Sequence, residues 1–103
     1  MRIHIVCGAG ASSTFVALRL RRSAAARGMS AHVTAGSESD LASMLPVIDV
    51  LLVGPHLQGM FAQIQQQAAV AGVLASLMPA TVFSARDGEE ALDLALATAS
   101  TRS

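Results

Sequence analysis

The feature of this sequence that most constrains its fold is the run Val47–Val53, which is apolar at every position except Asp49. A short and nearly continuous apolar run is typical of a strand covered on both faces in the middle of a parallel sheet. The run stops at Gly54-Pro55, a dipeptide that ends regular structure. Further strand-like runs lie at Met1–Val6, Ala31–Ala35 and Val73–Met78. The chain therefore has four candidate strands.

Segments with apolar residues at helical spacing separate the four runs. They are a helix from Ser12 or Ser13 to Arg27-Gly28, a short helix from Ser37 to Met44 that Pro46 ends, a helix from Leu57 to Gly72, and a last helix. Asp87 is the expected N-cap of the last helix, with Glu90 completing a capping box. Residues 79–86 are expected to form a loop.

Strands that alternate with helices predict an α/β fold with a parallel sheet. We expect four strands in the order 2-1-3-4, flanked by helices on both faces in a flavodoxin-like three-layer sandwich. A length of 103 residues suits one domain, and we expect that domain to cover residues 1–103.

Composition excludes several classes of function. The seven basic residues are all Arg and are balanced by seven acidic ones, so the chain has no strong field for nucleic acid or an anionic membrane. Aromatic residues make up only 3% of the chain, which leaves little material for base stacking. No apolar stretch reaches the roughly 20 residues that a bilayer crossing needs. With one cysteine and no disulfide, we expect a cytoplasmic protein without direct membrane insertion.

The candidate site is the segment Cys7-Gly8-Ala9-Gly10-Ala11-Ser12-Ser13-Thr14, which joins the first strand to the first helix. In doubly wound sheets, ligands bind beyond the carboxyl ends of the strands where the strand order switches. Here those ends are Cys7 and Gly54-Pro55. Small residues at a helix N-terminus let backbone amides approach an anion, and the same field favours the thiolate, which is the nucleophile. We predict an accessible, ionised Cys7 beside a phosphate-binding loop. The alternative is that Cys7 is a small core residue, the commoner role of a lone cytosolic cysteine.

Three motifs carry a resemblance to a known family. Cys7-x-x-Gly10-x-Ser12-Ser13-Thr14 resembles the phosphocysteine loop of enzyme IIB, lactose/cellobiose type, of the phosphoenolpyruvate-dependent sugar phosphotransferase system. The segments Gly54-Pro55-His56-Leu57-Gln58-Gly59-Met60 and Asp87-Gly88-Glu89 resemble that family's Gly-Pro-Gln-x-x-x-Met segment and the start of its final helix. The similarity covers essentially the whole chain in its length and in the order of its elements.

The resemblance implies a phosphotransferase that works as a carrier. Cys7 would accept a phosphoryl group from the phosphohistidine of a IIA component and pass it to sugar bound by the membrane IIC component. Backbone amides from Gly8 to Thr14 would hold the phosphate, with the hydroxyls of Ser12, Ser13 and Thr14 as further donors. The resemblance implies no metal and no organic cofactor.

Two other classes of function stay open on the sequence. The first is a hydrolase like the low-molecular-weight tyrosine phosphatases, whose phosphotyrosine-phosphatase-like sandwich also carries a cysteine loop after strand one. That family holds the phosphoryl oxygens with an Arg six residues after the cysteine, where this chain has Ser13, and Asp87 is the candidate general acid. The second is a non-catalytic regulatory module on the same fold.

The remaining polar residues of interest are histidines and arginines. His56 follows strand three and is a possible rim residue that donates to the phosphate. His4 and His32 lie in strand patterns and are predicted to be structural, and three scattered histidines with one cysteine have no metal-ligand spacing. Arg19, Arg21 and Arg22 are predicted to form a solvated helix face that flanks the site.

Overall fold

The structure is a computed structural model that describes residues 1–7 and 11–100, with side chains described for 1–7 and 14–100. The strands are β1 (Arg2–Val6), β2 (His32–Gly36), β3 (Val50–Val53) and β4 (Leu74–Leu77). The helices are α1 (Ala11–Ala26), α2 (Leu41–Met44), α3 (Phe61–Val70), α4 (Thr81–Ser84) and α5 (Glu89–Ser100). Short 3-10 turns cover Glu38–Asp40, Leu45–Val47 and Pro55–Met60.

The four strands form one parallel sheet in the order β2-β1-β3-β4, which confirms the predicted order. Ile5 of β1 pairs with Ala35 on one side and with Leu52 on the other, and Val53 pairs with Leu77. Because β1 and β3 are neighbours, Cys7 and Gly54 follow the ends of adjacent strands. The carboxyl ends of these two strands therefore share one edge of the sheet.

Alternating side chains of β1 and β3 pack into two separate apolar layers, as the three-layer prediction requires. One layer lies between the sheet and the pair α1 and α5, and it includes Ile3, Ile5, Cys7, Val50, Leu52, Val16, Leu20, Leu92 and Ala95. The other lies between the sheet and the pair α2 and α3, and it includes Val6, Leu51, Val53, Leu41, Ile64 and Ala68. Residue parity along β1 thus decides which layer each side chain enters.

The start of β3 differs from the sequence prediction. The strand begins at Val50 rather than Val47, because Leu45–Val47 form a 3-10 turn that continues the helical path beyond α2. The helix α2 ends at Met44, as predicted, and Pro46 stands in the first turn of the 3-10 segment, where a missing N–H costs no hydrogen bond. Asp49 stays outside the strand, where its carboxylate accepts a hydrogen bond of 2.8 Å from the backbone N–H of Arg2.

The segment after β4, predicted to be a loop, contains the helix α4 (Thr81–Ser84). In α4, the backbone N–H of Val82 donates to the carbonyl of Pro79, and the Val82 side chain is buried in the layer under α1 and α5. A single helical turn contains too few residues to show periodicity in the sequence.

The start of α5 agrees with the predicted cap only in part. Asp87 Oδ1 accepts a hydrogen bond of 3.1 Å from the N–H of Glu89, as an N-terminal cap does. Glu90 was predicted to complete a capping box, and its Oε1 instead accepts a hydrogen bond of 2.5 Å from Thr81 Oγ1 of α4. The carboxylate therefore connects two helices rather than closing one.

Gly88 fixes the start of α5 on the backbone of α1. Its N–H donates to Ser23 Oγ at 3.0 Å, in the buried contact between the two helices. A Cβ at position 88 would lie 2.4 Å from the carbonyl carbon of Arg19 and from the nitrogen of Leu20. Any side chain here would have to push the two helices apart.

We expect Gly88→Ala to lower the free energy of unfolding by about 3 kcal/mol, because the new methyl group meets backbone atoms that cannot turn aside. Gly59→Ala is the matched control, since a Cβ at position 59 meets nothing within 4 Å. The control should change stability by less than about 0.5 kcal/mol in urea denaturation. Equal losses in the two variants would contradict the close approach of α5 to α1.

His4 is a buried polar residue in the middle of β1, with 1% of its surface exposed. Its Nδ1 lies 2.7 Å from Thr34 Oγ1 on β2, and its Nε2 has no hydrogen-bond partner among the described residues. Burial lowers the pKa of His4 below the ordinary value, and the nearby Asp40 carboxylate opposes that shift only in part. The folded protein therefore favours the neutral imidazole.

We expect acid to destabilise the fold through His4. Its folded pKa is below the unfolded value of 6.5, so the unfolded chain binds more protons as pH falls below 6.5. The free energy of unfolding should therefore fall from pH 6.5 toward about 5, above the range where most carboxylates titrate. Urea denaturation at a series of pH values measures this slope. His4→Gln should flatten it, and His32→Gln, at an exposed histidine of β2, should leave it unchanged.

Candidate functional site

Cys7 follows β1 directly, and its side chain lies in the apolar layer between the sheet and the pair α1 and α5. None of its surface is exposed, and its N–H donates to the carbonyl of Gly36 at 3.2 Å. The prediction that the Cys7 thiol is accessible is therefore wrong. The physical reason is parity, because Cys7 continues the alternation of Ile3 and Ile5 into the same layer. That signal was present in the sequence.

Gly54, the residue after β3, lies directly against the sulfur. Its N–H donates to the carbonyl of Val6 at 2.8 Å, which extends the pairing of β1 and β3 beyond the strands. A Cβ on Gly54 would stand 2.8 Å from Cys7 Sγ and 3.4 Å from the Val6 carbonyl oxygen. The Gly-Pro segment therefore does more than end a strand, since its glycine leaves the space that the sulfur occupies.

The predicted phosphate-binding segment is described only in part. Gly8, Ala9 and Gly10 lie outside the described residues, as do the side chains of Ala11, Ser12 and Ser13. The helix α1 begins at Ala11, so residues 11–14 form its first turn rather than a loop, and the Thr14 side chain is exposed. N–H groups in a first helical turn have no acceptor within the helix, and that end carries partial positive charge. Phosphate binding by these residues remains a prediction.

His56 lies at the same edge of the sheet, on the turn that follows Gly54. Its exposed imidazole contacts the ring of Phe83 edge to face, with centroids 5.5 Å apart and an interplanar angle of 76°. Arg19 of α1 holds the segment of Phe83 in place, because its guanidinium donates to the carbonyls of Ala85 at 2.8 Å and Phe83 at 3.4 Å.

Two of the three arginines of α1 have structural contacts that the prediction of a solvated face missed. Arg19 holds the segment after α4, and the Arg21 guanidinium donates to the carbonyl of Val33 on the edge strand β2. Helical spacing alone gave no sign of either contact, because both acceptors are backbone carbonyls outside the helix.

The other titratable residues lie apart from Cys7. Asp87, the candidate general acid, caps α5 with its carboxylate. His4 is buried against Thr34, and His32 is exposed on β2. Within residues 1–7 and 11–100, no group of three or more His, Cys, Asp or Glu side chains is placed to hold a metal ion.

Comparison with known proteins identifies the family. Residues 2–94 match the model of the family described as PTS system, Lactose/Cellobiose specific IIB subunit. This chain belongs to that family. Its role is therefore that of a phosphoryl carrier in a sugar phosphotransferase system, which confirms the resemblance seen in the sequence.

Two curated relatives from Lactococcus lactis agree with this assignment. They are a galactose-specific EIIB component from subspecies cremoris and a cellobiose-specific EIIB component from subspecies lactis. Each is 29% identical over 95 residues, covering 87% of this chain and 88% of the relative. Each match therefore extends over most of this chain and most of the relative.

Two solved structures share the fold of this IIB chain. The lactose-specific IIB component domain from Streptococcus pneumoniae matches with a TM-score of 0.85 at 13% identity, over 95% of this chain and 96% of that one. The solution structure of a cellobiose-specific IIB component from Borrelia burgdorferi matches with a TM-score of 0.79 at 24% identity, over 100% of this chain and 94% of that one.

Among the described residues, no helix has the length and apolar character needed to cross a membrane.

The contact between Gly54 and the sulfur makes a prediction for a double-mutant cycle. Gly54→Ala alone should lower the free energy of unfolding by about 2 kcal/mol, because the new methyl group stands 2.8 Å from Sγ. In a Cys7→Ala background the sulfur is gone, so the same substitution should cost less than half as much. Urea denaturation of the four proteins measures the coupling. Identical losses in both backgrounds would contradict the contact.

Proposed function

We propose that Cys7 is the residue of this IIB chain that carries the phosphoryl group. The proposal is supported by one observation above all: Cys7 stands at the carboxyl end of β1, against Gly54 after β3, where the strand order switches. Ligands of doubly wound sheets bind at this point. Cys7 is also the single cysteine of the chain, and α1 begins four residues later.

The proposed reaction transfers the phosphoryl group in two steps, first onto Cys7 and then onto the sugar. In the first, the Cys7 thiolate attacks the phosphorus of a phosphohistidine on a IIA component, so that an S–P bond forms and a P–N bond breaks. The electron pair stays on the histidine nitrogen, which takes up a proton. In the second, a sugar hydroxyl oxygen on the membrane IIC component attacks phosphorus, the S–P bond breaks, the thiolate returns, and the hydroxyl loses its proton.

The burial of Cys7 bears on how this transfer proceeds. Sγ has no exposed surface in the structure, so it has to become accessible before a donor protein reaches it. A thiol surrounded by the apolar layer under α1 and α5 is shielded from oxidants and other electrophiles between transfers. Burial thus fits a nucleophile that should react only with its protein partner.

Membership of the IIB family also supports proposals for the phosphate-binding residues, the domain and the partners. We propose that backbone amides of Gly8 to Thr14 hold the phosphoryl group, and that residues 1–103 act as one IIB domain on the cytoplasmic side of the membrane. IIA and IIC components are the proposed partners. The relatives are named for galactose and cellobiose, and a fold neighbour for lactose, which supports a sugar of this group as the final acceptor.

Hydrolysis by a phosphatase mechanism has less support. Ser13 stands where the phosphatases have the Arg that clamps the phosphoryl oxygens, and the carboxylate of Asp87 caps α5. A carrier is better served without that clamp, because a phosphoryl group bound too tightly is not passed on.

We expect incubation with a phosphorylated IIA component to add one phosphoryl group to the wild-type chain, seen by mass spectrometry of the intact protein and located on Cys7 after proteolysis. Cys7→Ser should take up at least about a hundredfold less, because a serine alkoxide is scarcely available at neutral pH. An adduct of equal yield on Cys7→Ser would overturn the assignment.

A second measurement separates the carrier from the hydrolase. The wild-type chain should release no more inorganic phosphate from an aryl phosphate than Cys7→Ser does. Turnover of the aryl phosphate that depends on Cys7 would favour the phosphatase instead.

A further inference from the structure

We propose that His56 binds the phosphoryl group carried by Cys7, and that Phe83 and Arg19 hold the His56 imidazole at the rim of the site. The inference rests on the proposed function of Cys7. It assigns a phosphoryl-binding role to His56 and positioning roles to the other two residues.

The path from the sulfur to His56 is short. Gly54 packs against Cys7 Sγ and is the N-cap of the 3-10 turn Pro55–Met60, with extended backbone angles. His56 is two residues further on, so its Cα lies within about 7 Å of the Gly54 Cα. The turn leaves the His56 side chain exposed at the edge of the sheet where a phosphoryl group on Cys7 would emerge.

One side chain contacts the imidazole, and a second side chain fixes the segment that carries the first. The ring of Phe83 meets it edge to face at 5.5 Å and 76°, an arrangement that aromatic rings favour. The Arg19 guanidinium fixes the backbone of this segment through the carbonyls of Ala85 and Phe83. The side chain of His56 is therefore seated on a segment that α1, the helix beginning beside Cys7, keeps in place.

The charged groups near His56 do not prevent it from binding an anion. The charged side chains on the neighbouring elements are Arg19, Arg21 and Arg22 on α1, and Arg86 and Asp87 on the segment that follows α4, while Cys7 after β1 is the residue that would carry the phosphoryl group. No ion pair joins His56 to a residue that the structure describes, and the Arg19 guanidinium is engaged with carbonyls. A doubly charged phosphoryl group on Cys7 would give the imidazolium an acceptor for a charge-assisted hydrogen bond.

The test compares how far the wild type and His56→Gln accept a phosphoryl group from the same phosphorylated IIA component at equilibrium. Glutamine keeps an N–H donor and removes the charge. The equilibrium constant of the wild type should exceed that of His56→Gln by about fivefold near pH 6 and converge with it near pH 8. Because both proteins meet the same donor, the pH dependence of the donor cancels in the ratio.

Phe83→Leu tests the positioning role. Leucine keeps an apolar side chain and removes the aromatic edge, so the fivefold advantage should shrink to about twofold. His32→Gln, which removes an exposed histidine on β2, should keep the full advantage. The phosphorus NMR shift of phospho-Cys7 gives a readout that folding alone does not move. The shift titrates in both proteins, because the phosphoryl group itself takes up a proton near about pH 6. Its midpoint should lie at lower pH in the wild type than in His56→Gln, because the imidazolium stabilises the doubly charged form.

The outcomes separate the two proposals. If the wild type takes up no phosphoryl group on Cys7, the proposed function fails. If Cys7 is phosphorylated, and the wild type and His56→Gln give parallel pH profiles in both measurements, the role of His56 is overturned while the carrier function stands. His56→Asn is the second uncharged variant should His56→Gln fold poorly, and circular dichroism checks the fold of each.

Discussion

The adjacency of β1 and β3 is the constraint on which the site depends. These two strands come from distant parts of the chain, and their pairing brings Gly54 against Cys7 Sγ. Because the crossovers from β1 to β2 and from β3 to β4 lead to opposite edges of the sheet, helices flank the junction on both faces. On the side of β3, the sulfur therefore meets the backbone of Gly54, which a hydrogen bond to the Val6 carbonyl holds beside β1.

A second set of contacts fixes the elements around this junction. Gly88 packs on the backbone of α1, and Arg27, the residue after α1, pairs with Glu89 at 3.0 Å and Asp93 at 2.9 Å on α5. These ion pairs are partly exposed and contribute little energy by themselves. The close approach at Gly88 matters more, because it defines where α5 begins and hence where the segment bearing Phe83 must end.

The sequence was sufficient for the large-scale fold and insufficient for the details of the site. Short apolar runs such as Val47–Val53 predicted the four strands, and the alternation of strands with helices predicted the parallel sheet and its order. The error on the exposure of Cys7 came from giving loop chemistry more weight than strand parity. Contacts of Arg19 with backbone carbonyls, and of Glu90 with Thr81, leave no periodic signal, because their partners are set by tertiary packing.

Burial of the reactive atom and the need to pass on its phosphoryl group impose opposite demands on Cys7. A sulfur in the apolar layer is protected, whereas a charged phosphoryl group cannot remain there without compensating donors. The phosphorylated state therefore has to direct its charge toward the carboxyl edge of the sheet, where the first turn of α1 begins and His56 lies exposed. Exposure of the sulfur has to come before phosphorylation, and a phosphoryl group directed toward this edge would then stay within reach of the next partner protein.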